Sequence, residues 1–308
     1  MISFIVPAYN AGKTIEKCIE SILCQDIDKE VIVIDNNSTD NTSKIMKKYP
    51  IKYFFESKKG PAAAKNRGLK ETNEKSQYIA FVDSDVVLPK DWAKKALEII
   101  NKYSKKVAGV GGPGKSIKKN NISEVFDCLL YGRFYGQNLF VKSLATMDVM
   151  YRKDVINGLL FDDKLIAAED PDFNLHLIKM NYSLLYSDEL WVYHHNPTTI
   201  NQVIKKWYNY GKYYPLPYFW NKQLTNFGLW GRILYLPLVL FCLVLSSFIR
   251  NFIPFSLIIF ILPFIYFCLG IKLRIKNFYK LFVFITVHSL KQFAQVIGIW
   301  VGIISRIR

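Results

Sequence analysis

The chain has 308 residues, 51% hydrophobic and 15% aromatic, with a formal charge of +16. That length supplies core for one large domain or two modest ones, and no nucleic-acid-reading motif accompanies the positive charge. The five cysteines (Cys18, Cys24, Cys128, Cys242, Cys268) show neither a C-x-x-C pair nor metal-ligand spacing, which sets aside a sulfur-bound metal and leaves reduced, buried thiols.

Met1 runs straight into "ISFIVPAY", with no basic stretch ahead of it, so no signal peptide is expected. The run is short, apolar and ended by proline, and reads as a strand. "KTIEKCIESILCQ" follows and places Ile15, Cys18, Ile19, Ile22 and Leu23 on one helical face. "EVIVIDNNSTD" is an apolar run ending in a polar loop, and "NTSKIMKKY" a Lys-rich helix. "IKYFFES" gives a third strand, "AAAKNRGLKETN" a helix and "QYIAFVDSD" a fourth strand. This alternation predicts a parallel sheet wrapped by helices, with ligands beyond the carboxyl ends of its strands.

Polar residues collect at those ends: Tyr9 and Asn10 after the first strand, Asp35 to Asp40 after the second, Asp83 and Asp85 after the fourth. No G-x-G-x-x-G follows the first strand, so an ordinary dinucleotide site is unsupported. The Asp-x-Asp of "FVDSDVVL" suits a hard divalent cation that keeps phosphate oxygens in its shell; alternatively, the two aspartates cap the next helix.

"GVGGPGKS" (109–116) fits the P-loop pattern letter for letter. A P-loop follows an early strand and opens a helix. This one comes after four strand–helix units, and "SIKKNNISEVF" behind it is a poor helix start, so the match is set aside. "LIAAEDPDFNLHLIKM" offers Glu169, Asp170 and Asp172 at a helix start, where acidic residues also complement the helix dipole. "WVYHHNPTT" supplies His194 and His195, either loop or site residues.

Together, "IVPAYNAGKTIEKCIESIL", "VIVIDNNSTDNT", "GPAAAKNRGL" and "FVDSDVVLPKDW", in this order and spacing, closely resemble family 2 glycosyltransferases of the GT-A fold, over roughly residues 1–200. The resemblance implies a Rossmann-like, mostly parallel α/β domain that binds a nucleotide-sugar with Mg²⁺ or Mn²⁺. It implies that Pro7, Ala8 and Tyr9 line the nucleoside pocket. Asp35 and Asn36 stand where two aspartates are usual, so a carboxylate contact to the base becomes an amide contact. Lys65 stands where arginine faces the diphosphate. Asp83 contacts ribose or metal, Ser84 lies on the donor, and Asp85 and His194 serve the metal. Gly111, Gly112 and Glu169 shape the acceptor side, glycine serving close backbone approach or positive φ. Asp170 resembles the catalytic base, taking a proton from an acceptor hydroxyl. "QVIKKW" (202–207) approaches the Q-x-x-R-W of processive members but is one residue too long and has Lys206 for arginine.

Beyond Arg232 the composition changes. "ILYLPLVLFCLVLSSFI" (233–249) and "FIPFSLIIFILPFIYFCLGI" (252–271) carry no charge and are close to the length of a membrane span. They read as a hairpin joined at Arg250 and Asn251. Lys205, Lys206, Lys212, Lys222 and Arg232 precede it and Lys272, Arg274, Lys276 and Lys280 follow, placing the flanking chain on the cytoplasmic side. In 281–305, His288, Lys291, Gln292 and Gln295 share one helical face. That helix either lies in the interface, the favoured expectation, or spans with its polar stripe turned inward.

The expectation is a multi-pass membrane protein: a cytoplasmic GT-A domain over 1–222 and a helical membrane region over 223–308. Its activity would be inverting, metal-dependent transfer from a UDP- or GDP-sugar to a lipid-linked saccharide or glycolipid, without nucleic acid. Rival readings are a polyprenyl- or dolichyl-phosphate sugar synthase, a polysaccharide synthase, and a non-catalytic membrane scaffold on the same fold.

Overall fold

The computed structural model describes residues 1–131, 136, 138–165, 167–213 and 278–307. β1 (Ile2–Ala8) is buried along nearly its whole length, as a parallel strand is when helices cover both faces. β2 (Lys29–Asp35), β3 (Lys52–Phe55) and β4 (Tyr78–Val82) join it in the order β3-β2-β1-β4, all parallel. The crossovers are α1 (Ile15–Leu23), α2 (Thr42–Met46) and α3 (Pro61–Lys70). α1 buries Ile15, Cys18, Ile19 and Ile22, the face expected from periodicity. α2 is shorter than the Lys-rich stretch suggested. Only Thr42 and Met46 are buried on it, and a helix with so little packed surface has nothing to hold further turns.

After β4 the chain leaves the simple alternation. β5 (Val86–Val87), α4 (Trp92–Lys102), β6 (Val107–Gly111) and β7 (Gly114–Ser116) come next, followed by α5 (Asn121–Tyr131) and β8 (Asn138–Val141). Then come β9 (Asp148–Arg152), α6 (Lys153–Ile156), α7 (Glu169–Lys179), β10 (Ser183–Ser187) and β11 (Val192–His194). The large sheet reads β3-β2-β1-β4-β9-β6-β10-β8, with β9 and β8 antiparallel to their neighbours. A small sheet reads β5-β11-β7. The architecture is therefore the expected α/β, mostly parallel sheet. Antiparallel β9 places its first residue, Asp148, opposite Val82, so the loop before β9 reaches the carboxyl edge of the sheet.

The P-loop-like stretch lies in β6, β7 and the bend between them. No helix opens behind Lys115; α5 starts at Asn121. The Lys115 Nζ sits 4.1 Å from the Trp191 ring centroid.

The chain divides into two units, residues 1–117 with 134–196, and residues 118–133 with 197–308. The first holds both sheets. In the second, α8 (Ile200–Tyr213), α5 and α9 (Phe278–Ile307) share a core that includes Val125, Phe126, Val203, Trp207, Phe284 and Val287. Trp207 of "QVIKKW" is thus a core residue, and Lys206 Nζ lies 5.2 Å from the Phe126 ring. Gly211 lets α8 approach α9 closely, since a Cβ there would strike the Gln295 carbonyl.

The expected hairpin, 233–249 and 252–271, and the expected boundary at 222/223 lie outside the described residues. Among the described residues no helix is long and apolar enough to cross a membrane. The polar stripe of α9 is turned largely inward. His288, Lys291 and Gln295 are buried, with Lys291 Nζ 4.1 Å from the Trp207 ring, whereas Phe293 and Ile304 are exposed. The stripe is spent on packing between helices.

Candidate active site

Three strand ends and one helix start meet at the carboxyl edge of the large sheet. At the end of β2, Asp35 is buried and accepts from the Ser38 N–H (3.0 Å) and the Tyr53 hydroxyl (3.1 Å). Asn36, also buried, donates to the carbonyls of Lys58 (2.7 Å) and Glu56 (3.3 Å) and accepts from the Gly60 N–H (2.8 Å). Its amide is committed to the 56–60 loop, so a contact to a nucleoside base would cost one of these bonds. Ala8 pairs with Asp35 across β1 and β2, which sets Pro7, Ala8 and exposed Tyr9 beside that carboxylate. Asn10 and Asn37 both take positive φ (49° and 64°), a conformation asparagine tolerates, and Asn10 Oδ1 accepts from the Thr39 N–H at 2.8 Å.

Asp83, Ser84 and Asp85 follow β4. The Asp83 N–H donates to Met147 O (3.1 Å), fixing the backbone against the loop before β9. Part of Asp83 reaches solvent, but burial of its carboxyl pushes it up to about 6. Asp85 and Asp170 add to that rise, while Lys65 and His194 oppose it. Beneath, the Cys18 thiol donates to Asp83 O at 3.4 Å. Burial, aided by Asp85 and Asp83, pushes this thiol far up, so it stays protonated and inert.

The small sheet brings the histidine in. His194 pairs with Val86, next to Asp85. Its Nδ1 lies 2.6 Å from Asn196 Oδ1, its Nε2 lies 3.4 Å from Asp85 Oδ2, and Asn196 Nδ2 donates to Gly114 O at 3.1 Å. The amide of Asn196 is thereby oriented with its oxygen toward the ring, which puts a proton on Nδ1. Nε2 then faces a carboxylate, an arrangement that calls for a proton or a cation between them. Among the described residues no three acidic, histidine or cysteine side chains form a ready-made metal cage. The donor set nonetheless fits a hard divalent ion that takes one or two protein ligands and completes its shell with phosphate oxygens and water.

The third component is a buried ion cluster. Lys65 on α3 is 2% exposed, and its Nζ lies 2.7 Å from both Glu169 Oε1 and Asp170 Oδ1 and 5.2 Å from the Phe161 ring. Burial works against the ammonium, but Asp170 and Glu169 outweigh it and hold the lysine above its ordinary value. Burial pushes Glu169 up, against the pull of Lys65. Ala168 turns into α7 at φ 70°, presenting both carboxylates to the lysine. Asp170 also accepts from the Thr146 hydroxyl (2.7 Å, Oδ1) and the Thr146 N–H (3.0 Å, Oδ2).

Gly111 ends β6 and Gly112 follows it. Neither has positive φ; Gly112 serves close approach, since a Cβ would strike the carbonyls of Leu190 and Ser187. Its N–H donates to Asp148 Oδ2 at 3.2 Å, and burial pushes Asp148 well above the usual carboxylate range.

Thr146, Asn174 and Asn196 were not singled out in the sequence. Asn174 carried a signal, lying one helical turn beyond Asp170, and Asn196 stands two residues after His194. Thr146 carried none, sitting in an uncharged loop.

Residues 3–154 match the family model described as Glycosyl transferase family 2. This part of the chain is similar to family 2 glycosyltransferase domains, a class of transferases, and its fold is GT-A-like. Over 231 residues the chain is 29% identical to the dolichyl N-acetyl-alpha-D-glucosaminyl phosphate 3-beta-D-2,3-diacetamido-2,3-dideoxy-beta-D-glucuronosyltransferase of Methanococcus voltae, covering 68% of this chain and 71% of that one. Staphylococcus aureus TarS 1–349 in complex with UDP-GlcNAc has the same fold at TM-score 0.53 and 22% identity, over 70% of this chain and 66% of that one. The mannosyltransferase PcManGT of Pyrobaculum calidifontis, solved with GDP-Man and Mn²⁺, matches at TM-score 0.63 and 14% identity, over 98% of this chain and 86% of that one. The chain thus spans just under two thirds of the TarS fragment.

Proposed function

We propose that this chain is an inverting glycosyltransferase, using a divalent cation to move a sugar from a nucleotide-sugar onto a hydroxyl of a lipid-linked saccharide. The observation that carries it is the Lys65–Asp170 pair at 2.7 Å, at the same sheet edge as Asp83 and Asp85. A base and a diphosphate-binding strand end are what a single displacement needs. Asp170 takes the proton of the acceptor hydroxyl as its oxygen bonds to the anomeric carbon, and the bond from that carbon to the diphosphate breaks. A Mg²⁺ or Mn²⁺ ion held by Asp85 and His194, with Asp83 beside it, would offset the charge on the departing diphosphate.

A UDP-sugar is favoured by the UDP-GlcNAc complex of TarS, which shares the fold. The lipid-linked acceptor draws on the Methanococcus voltae relative, named for a dolichyl-phosphate-linked sugar. Membrane attachment on the cytoplasmic side rests on the charge-free runs 233–249 and 252–271 and their basic flanks.

The test incubates detergent-purified protein with membrane lipid extract, a panel of UDP- and GDP-sugars, and Mn²⁺ or Mg²⁺, and follows lipid masses. A single sugar added to a lipid-linked saccharide by wild type, and lost in Asp170→Asn, supports the reading. A sugar placed on polyprenyl phosphate and still made by Asp170→Asn overturns the acceptor and the base.

A further inference from the structure

Resting on that reading, we propose that Thr146 is a positioning residue for Asp170, and that it leaves Oδ2 as the atom that takes the acceptor's proton. An ionised carboxylate has about four lone-pair sites. At Asp170, Oδ1 accepts two bonds, from Lys65 Nζ and the Thr146 hydroxyl, each 2.7 Å. Oδ2 accepts one, from the Thr146 N–H at 3.0 Å. Among the described residues, both sites of Oδ1 are filled, whereas Oδ2 keeps a lone pair. One residue thus grips both oxygens and fixes the plane of the carboxylate.

The grip is built, and its support runs through the fold. Thr146 is 1% exposed, and its loop is tied down on either side. The Met147 carbonyl accepts from the Asp83 N–H at 3.1 Å, joining the loop to the end of β4. Asn174 Nδ2 donates to Leu144 O (2.7 Å) and to Asp170 O (2.8 Å), and its Oδ1 accepts from the Tyr151 hydroxyl (2.8 Å). Residues 144–147 therefore couple the aspartates after β4 to the base on α7, so donor and base are held by one loop. The hydroxyl and the backbone N–H of this one residue each meet a different oxygen of the carboxylate.

A base rotated out of line lowers the rate of the chemical step without changing how the donor binds. Thr146→Val keeps the shape and the backbone N–H while deleting the hydroxyl; Thr146→Ser keeps the hydroxyl. The experiment measures nucleoside diphosphate release from the panel of UDP- and GDP-sugars with Mn²⁺ and lipid extract, alongside thermal unfolding and the KM of whichever donor wild type uses. Wild type, Thr146→Val, Thr146→Ser and Asp170→Asn are run together. The expected result is a kcat loss of about 10- to 100-fold in Thr146→Val at unchanged donor KM and near-unchanged Tm, with Thr146→Ser within a few-fold of wild type. Wild-type kcat in Thr146→Val, with Asp170→Asn inactive, overturns the inference and leaves the function standing. If Thr146→Val does not fold, Thr146→Ser decides: a 10-fold or greater kcat loss there, at normal KM, shows that the hydroxyl does not suffice and overturns it. Full activity in Asp170→Asn, or no turnover by wild type on any donor of the panel, overturns the functional reading and this inference with it.

Discussion

The ends of β2 and β4 look alike in sequence, each an apolar run closing on acidic or amide residues, but they differ in what those residues do. At β2 the side chains are consumed by the protein: Asp35 holds the Ser38 N–H and Tyr53, and Asn36 holds three backbone groups of the 56–60 loop. At β4 the Asp83 carboxylate is faced by charges instead, Asp85, Asp170, Lys65 and His194. An acidic strand end whose oxygens are filled by its own loop shapes a pocket. One faced by charges of both signs, two of them carboxylates, is where the proposed cation would bind.

The largest effect that would break this contrast is removal of Lys65. Lys65→Met leaves buried Glu169 and half-buried Asp170 beside each other without their counter-ion, and unfolding free energy should fall by about 3–5 kcal/mol, read by urea denaturation. Unchanged stability would mean that the cluster does not hold the base.

At the other strand end, Asn36→Asp replaces a donor by an acceptor opposite the carbonyls of Glu56 and Lys58. A loss of about 1–3 kcal/mol is expected from these unpaired groups, together with faster proteolysis within the 56–60 loop. An unaffected loop would mean that the amide is available to a ligand after all.

Asp83 sharpens the contrast through pH. Its folded value, about 6, lies above its ordinary 3.8. Its contribution to stability is therefore full below that ordinary value and lost as pH rises through 6. Asp83→Asn should raise Tm at pH 7.5 by about 2–4 °C and leave it unchanged at pH 4, while abolishing transfer. Mn²⁺ should raise the wild-type Tm at pH 7.5 and not at pH 4. The smallest effect is expected of Lys115→Ala: its amine rests on Trp191, so nucleotide-sugar affinity should stay within about two-fold.

Much of this was legible in the sequence because it depends on local pattern. The apolar runs gave β1 to β4, the periodicity of Ile15, Cys18, Ile19 and Ile22 gave the face of α1, and polar strand ends located the site. What was not legible depends on distant pairing. Antiparallel β9 is set by its place between β4 and β6, and it brings Thr146 to Asp170 across 24 positions of sequence. Lys65 reaches Glu169 across 104. The stripe on α9 was visible as a pattern, but period alone does not say whether a partner helix or water receives it; α8 receives it.

The most direct measurement is calorimetric titration of UDP-N-acetylglucosamine into wild type and Asp85→Ala, with and without Mn²⁺. The account predicts binding by wild type that requires Mn²⁺ and is lost in Asp85→Ala. Metal-independent binding, or equal binding by Asp85→Ala, would contradict a cation-held diphosphate at the end of β4.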